Sequence, residues 1–88
     1  MSKKVNVWDT YVTKKNGQIM HFDILAPTEV SDPDQIHAYG RDFLKSKGQE
    51  GQPITAKECR FCHVESLQES WEEAIEEQGY FIIEMEGC

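Results

Sequence analysis

Lysine and arginine are missing from the last quarter of this chain: residues 65–88 carry eight glutamates and no basic side chain. Binding to a phosphate backbone depends on clustered Lys and Arg that release counterions, so this end of the molecule repels nucleic acid. The formal charge of the 88 residues is −7, and all 9 basic residues lie in residues 1–64. Lys3-Lys4 and Lys14-Lys15 are the densest basic clusters, and lysines flanking strands are chiefly solubilising. No nucleic-acid partner is expected. Long apolar runs are absent too, and none nears the roughly 20 residues that a membrane span requires. Met1-Ser2-Lys3-Lys4 leads into no apolar signal segment. The expectation is a cytoplasmic chain with no membrane partner. There is no repeat and no linker, which makes residues 1–88 one expected domain. At this size only about two-thirds of the unfolded surface can be buried, so stability will be modest.

What is present begins with a hairpin. Val5–Thr13 and Ile19–Leu25 are rich in β-branched and aromatic residues, and Asn16-Gly17 between them is the strongest short turn signal. A two-residue turn pairs Lys15 with Gln18, setting Tyr11 opposite Phe22 and Asp9 opposite Ile24. One face then carries Val5, Val7, Tyr11, Met20, Phe22 and Ile24, with Asp9 as its odd member. A slip of one residue would place Asp9 against Asp23, a like-charge pair that costs stability.

Two helices follow. Asp32-Pro33-Asp34-Gln35 supplies a capping Asp and a Pro at the first helical position, and Gly48 closes that helix. Ser66 and Glu69 form a capping box for the second, which buries Leu67, Trp71, Ala74 and Ile75 and ends at Gly79. Its glutamates read as a solvated face. A third strand is expected from Ile54 to Val64 and a fourth from Tyr80 to Glu86. The order β-β-α-β-α-β implies an α+β two-layer sandwich, a four-stranded mixed sheet with both helices on one face.

Cys59-Arg60-Phe61-Cys62-His63 is the segment with the densest chemistry. Cys-x-x-Cys-His attaches c-type haem, but that needs export and a core able to enclose the cofactor. Zinc, or a dithiol reaction, would instead use Cys59, Cys62, His63 and Cys88. Either requires a turn near Arg60-Phe61, because residues three apart in a straight strand lie about 10 Å apart. The simpler expectation is reduced cysteines and no cofactor. Gly48 and Gly51 do not lead from a strand into a helix, so no phosphate loop is expected.

The opposite hairpin face collects Trp8, Thr10, Val12, His21, Asp23 and Leu25, joined by Ile82 from the fourth strand. Apolar residues on a sheet face without helices invite a partner, so a non-enzymatic domain working through protein contacts, as a homodimer, is the leading functional expectation. A thiol-based metal or redox protein is the alternative. His21 and Asp23, two apart on one strand, suggest a third reading as an acid–base pair, although no nucleophile completes a catalytic set.

Three stretches carry a resemblance: Val7-Trp8-Asp9-Thr10-Tyr11-Val12, the Gly48-Gln49-Glu50-Gly51-Gln52-Pro53 to Glu58-Cys59-Arg60-Phe61-Cys62-His63 block, and the terminal Gly79-Tyr80-Phe81-Ile82-Ile83-Glu84-Met85-Glu86-Gly87-Cys88. Together they resemble a family of small bacterial proteins known as domain of unknown function number two thousand and twenty-four, almost end to end. The resemblance implies a compact α+β domain in a bacterial cytoplasm. It implies no activity and no catalytic residue.

Overall fold

The computed structural model describes residues 4–88, so the Met1-Ser2-Lys3 start, and with it half of the Lys3-Lys4 pair, lies outside the described residues. Along the chain run β1 (Lys4–Thr13), β2 (Ile19–Pro27), α1 (Pro33–Ser46), β3 (Cys59–Ser66), α2 (Glu69–Gln78) and β4 (Phe81–Glu86).

Asn16-Gly17 does turn the chain, but as part of a longer loop. Gly17 N–H donates to Lys14 C=O at 2.9 Å and Lys14 N–H to Gln18 C=O at 2.7 Å. Gly17 sits at φ +89°, the left-handed geometry of a turn followed by a glycine bulge. The extra loop residue shifts the register by one from the expected pairing. Tyr11 faces His21, Trp8 faces Ile24, and Asp9 faces Asp23. Because strand side chains alternate, a one-residue shift re-sorts both faces. The even residues Trp8, Thr10, Val12, Met20, Phe22, Ile24 and Ala26 now share one face; Val5, Val7, Asp9, Tyr11, Ile19, His21, Asp23 and Leu25 share the other.

The sheet is antiparallel throughout, in the order β3-β1-β2-β4, rather than mixed. Strand–helix–strand links imply parallel neighbours only when the strands are adjacent. Here the β1–β2 hairpin fills the centre, and β3 and β4 are sent to opposite edges.

The helices also separate, instead of stacking on one face. Helix α1 packs Ile36, Phe43 and Leu44 onto the even face with Met20, Phe22 and Ile24, joined by Ile54 and Tyr80. A Cβ on Gly40 would lie 2.7 Å from Ile54 Cδ1 and 3.1 Å from Ile24 Cδ1, so glycine brings α1 close to the sheet. Asp32 caps this helix by accepting from Asp34 N–H at 3.0 Å. Its other end closes with Gln49 N–H on Leu44 C=O and Gly48 N–H on Lys45 C=O, the Schellman pattern. Helix α2 sets Trp71 and Ile75, with Leu67 just ahead of it, over Val5, Val7 and Leu25 on the odd face. Its expected capping box does not form. Ser66 stays in the ladder opposite Lys4, and Gln68 precedes the helix without a side-chain capping bond. β3 likewise starts later than expected, because Ile54 leaves the strand pattern to plug the α1 side.

No described helix is long and apolar enough to cross a membrane.

Candidate functional site

The shifted register builds a polar cluster on the odd face, beyond the half covered by α2. Asp9 on β1 lies directly opposite Asp23 on β2, and His21, two residues back, reaches towards both. His21 Nε2 is 2.5 Å from Asp9 Oδ1 and 3.8 Å from Asp23 Oδ1. The Tyr11 ring stacks on the imidazole with centroids 4.1 Å apart and an interplanar angle of 11°. Asp23 is buried. Burial, a hydrogen bond with Asp9 and the Asp9 charge push its carboxyl up to about 6, against the opposing pull of His21 and His63. The like-charge cost of the pair is eased by the nearby imidazole and, below about pH 6, by the proton that Asp23 keeps.

Among the described residues this is the group whose ligand atoms lie within metal-binding reach, all inside 4.8 Å of one another. Asp9 also lines an open hollow of about 290 Å³ with Tyr11, Lys57, Glu58 and Arg60. Sequence reasoning paired His21 with Asp23 and missed Asp9. The available signal was that Asp9 stood alone as a charge among positions assigned to the core.

The residues expected to form one open face are divided. Trp8, Thr10 and Val12 are buried on the α1 side, where Ile82 packs against the same core. Leu25 is buried under α2, and His21 and Asp23 share its face.

The thiols do not converge either. Cys59 is buried on β3, takes a hydrogen bond from Thr10 Oγ1 at 3.4 Å and has its thiol pushed upward by burial. Cys88 follows β4, at the opposite edge of the sheet, with Sγ 3.5 Å from His21 C=O. Cys62 is the extra residue of a bulge between the partners of Val7 and Trp8. Its sulfur is 3.1 Å from His63 Nδ1, while His63 Nε2 is 2.8 Å from Glu65. Zinc or a dithiol shared by Cys59, Cys62, His63 and Cys88 is not favoured: Cys88 lies at the opposite edge of the sheet from the other three, and on β3 itself Cys59 is buried while Cys62 is exposed.

The two edges differ in what they present. On β3 only Cys59 is buried. Phe61, 51% exposed, and Val64, 50% exposed, are opposite Trp8 and Asn6 and so lie on one face. Arg60, His63 and Glu65, opposite Asp9, Val7 and Val5, lie on the other. Phe61 meets Trp8 edge-on at 5.6 Å. β4 is shorter, carries Glu84 and Glu86, and has its own extra residue at Met85.

Comparison with known proteins places the chain in the family described as Domain of unknown function (DUF2024), whose model matches residues 3–85. The chain belongs to that family. It is similar to protein NE1680 from Nitrosomonas europaea, a structural genomics target solved by NMR, with 44% identity and a TM-score of 0.84. The match covers 97% of this chain and 98% of that one. No curated protein matches. The family carries no assigned function.

Proposed function

We propose that the domain acts by protein contact along the free edge of β3, in a bacterial cytoplasm. The observation that supports this is the pairing of Phe61 and Val64, both half-exposed, on one side of an eight-residue edge strand without Lys or Pro. Edge strands are ordinarily blunted by Lys, Pro or a bulge, because their unpaired N–H and C=O groups recruit another strand; β3 has a bulge, at Cys62, but neither Lys nor Pro. Each sheet face already carries a helix, which leaves the edge as the place for added structure. The exposed thiols of Cys62 and Cys88 suit a reducing compartment.

A photocrosslinking residue placed at position 61 in living cells tests this, with Ile19, equally exposed on the other side of the sheet, as control position. A covalent protein adduct from position 61 and none from position 19 is the expected result. Equal yields, or none, would end the reading.

A second reading is favoured by Asp9, His21 and Asp23, whose donor atoms converge within 4.8 Å: a divalent cation held by one imidazole and two carboxylates, as suits zinc or manganese. Native mass spectrometry with either ion should show one bound metal that Asp9→Asn removes. An unmetallated protein at millimolar zinc would dispose of it.

A further inference from the structure

We infer that the partner strand at this edge is β3 of a second copy of the chain, paired antiparallel so that Arg60 faces Glu65 and Phe61 faces Val64. This rests on the contact reading above and names its occupant. In an antiparallel pair related by a two-fold axis normal to the sheet, facing residues must point to the same side. Without a bulge, Arg60 and Glu65 would alternate to opposite sides, as would Phe61 and Val64. The extra residue at Cys62 resets the alternation: Phe61 and Val64 fall on the α1 side, Arg60 and Glu65 on the α2 side. The strand becomes self-complementary in one register. Each two-fold contact sets an apolar pair on one side twice and an opposite-charge pair on the other side twice. Such cross-strand pairs are the stabilising units of a sheet, whereas like charges directly opposite oppose pairing.

β4 is shorter, at six residues, and the registers that pair its C-terminal half with itself set Glu84 or Glu86 against a glutamate of the other copy, which like charges resist. Self-association is therefore directed to β3. The contact lays one eight-residue strand against another and extends the sheet from four strands to eight. Its modest area indicates a weak dimer, assembled at high micromolar concentration. Cys62 sits beside the two-fold axis, opposite His63 of the other copy.

A charge-swap series read by sedimentation equilibrium tests the assignment. Arg60→Glu sets two acids against each other at both ends of the contact, and Glu65→Arg sets two cations. Each single variant should weaken association at least about tenfold, and the double variant should return it to within about threefold of the parent. All of these side chains are exposed, and circular dichroism confirms the fold. An independent arm uses Cys88→Ser protein with diamide, which accepts the two electrons and two protons released when two Cys62 thiols join. A Cys62 disulfide dimer that forms far faster than in the Arg60→Glu variant supports the register. Three outcomes overturn the inference: a monomer at every concentration, no rescue by the double variant, or a photocrosslinked adduct at position 61 that contains a different protein. The last leaves the contact reading standing; no adduct at position 61 removes both.

Discussion

The two faces of this sheet come from the same hairpin yet are finished differently. Under α1 the face is dry along its length, with Val12, Met20, Phe22, Ile24 and Ala26 all fully buried. Under α2 the buried hydrophobic residues are only Val5, Val7 and Leu25, no residue of the helix itself is buried, and the face ends in the half-buried Asp9 and His21 and the buried Asp23. The fully covered face holds the fold together, and the partly covered one leaves polar groups in reach of solvent at a tolerable cost. With a helix on either side, neither face remains wholly free for a partner. That difference moves the search for a contact surface from the faces to the edge.

The largest expected effect tests the division of stability. Phe22 is fully buried and tilts against Phe43 at 4.7 Å, so Phe22→Ala should cost about 3–5 kcal/mol, most of the stability of a small domain. Trp71, half-buried on α2, should cost about half as much on replacement by Ala, since less of its surface leaves water on folding. Urea titration of both variants measures the contrast. Equal losses would mean that the two faces contribute alike.

The next effect is in pH. Asp23 holds its proton to about pH 6 in the folded chain, against about 3.9 when unfolded. The folded state therefore binds more protons in between, and the stability this confers is complete below about pH 4 and lost as pH rises through 6. The loss should be on the order of 1–3 kcal/mol. Asp23→Asn, which cannot ionise, should flatten this part of the profile in thermal melts from pH 4 to 7. A profile identical to the parent would show that Asp23 ionises normally.

The smallest effects concern the caps. Asp32→Ala removes the bond to Asp34 N–H and should cost about 1 kcal/mol. At α2, Gln68 makes no capping bond, so Gln68→Ala should be nearly neutral and Gln68→Ser should gain about 0.5–1 kcal/mol. Denaturant midpoints resolve all three variants, and a costly Gln68→Ala would contradict the contrast between the helices.

Much of the architecture was legible in the sequence, and the losses trace to single residues. The α1 cap at Asp32-Pro33 and the left-handed closure at Gly79, φ +92°, were readable because local chemistry dictates them. The turn at Asn16-Gly17 was readable as a turn, but whether Gly17 is the second residue of a tight turn or the bulge of a longer one is decided by how the strands pack. That one-residue choice set every partner in the hairpin. Rejecting Asp9 opposite Asp23 for its charge cost was sound for two isolated carboxylates. It failed because His21, on the same face, shares the load. The bulge at Cys62 left no mark in composition either, and without it Phe61 and Val64 fall on opposite sides.

The claim that matters most is that β3 of one copy adds to β3 of another. A mixed sample of differently isotope-labelled chains at about millimolar concentration addresses it directly by NMR, since only contacts between copies survive the filter. The account predicts cross-peaks from the Phe61 ring to the Val64 methyls, with β3 amides slowed in exchange as concentration rises. A filtered spectrum empty at Phe61, with β3 amides exchanging at a rate independent of concentration, would contradict it.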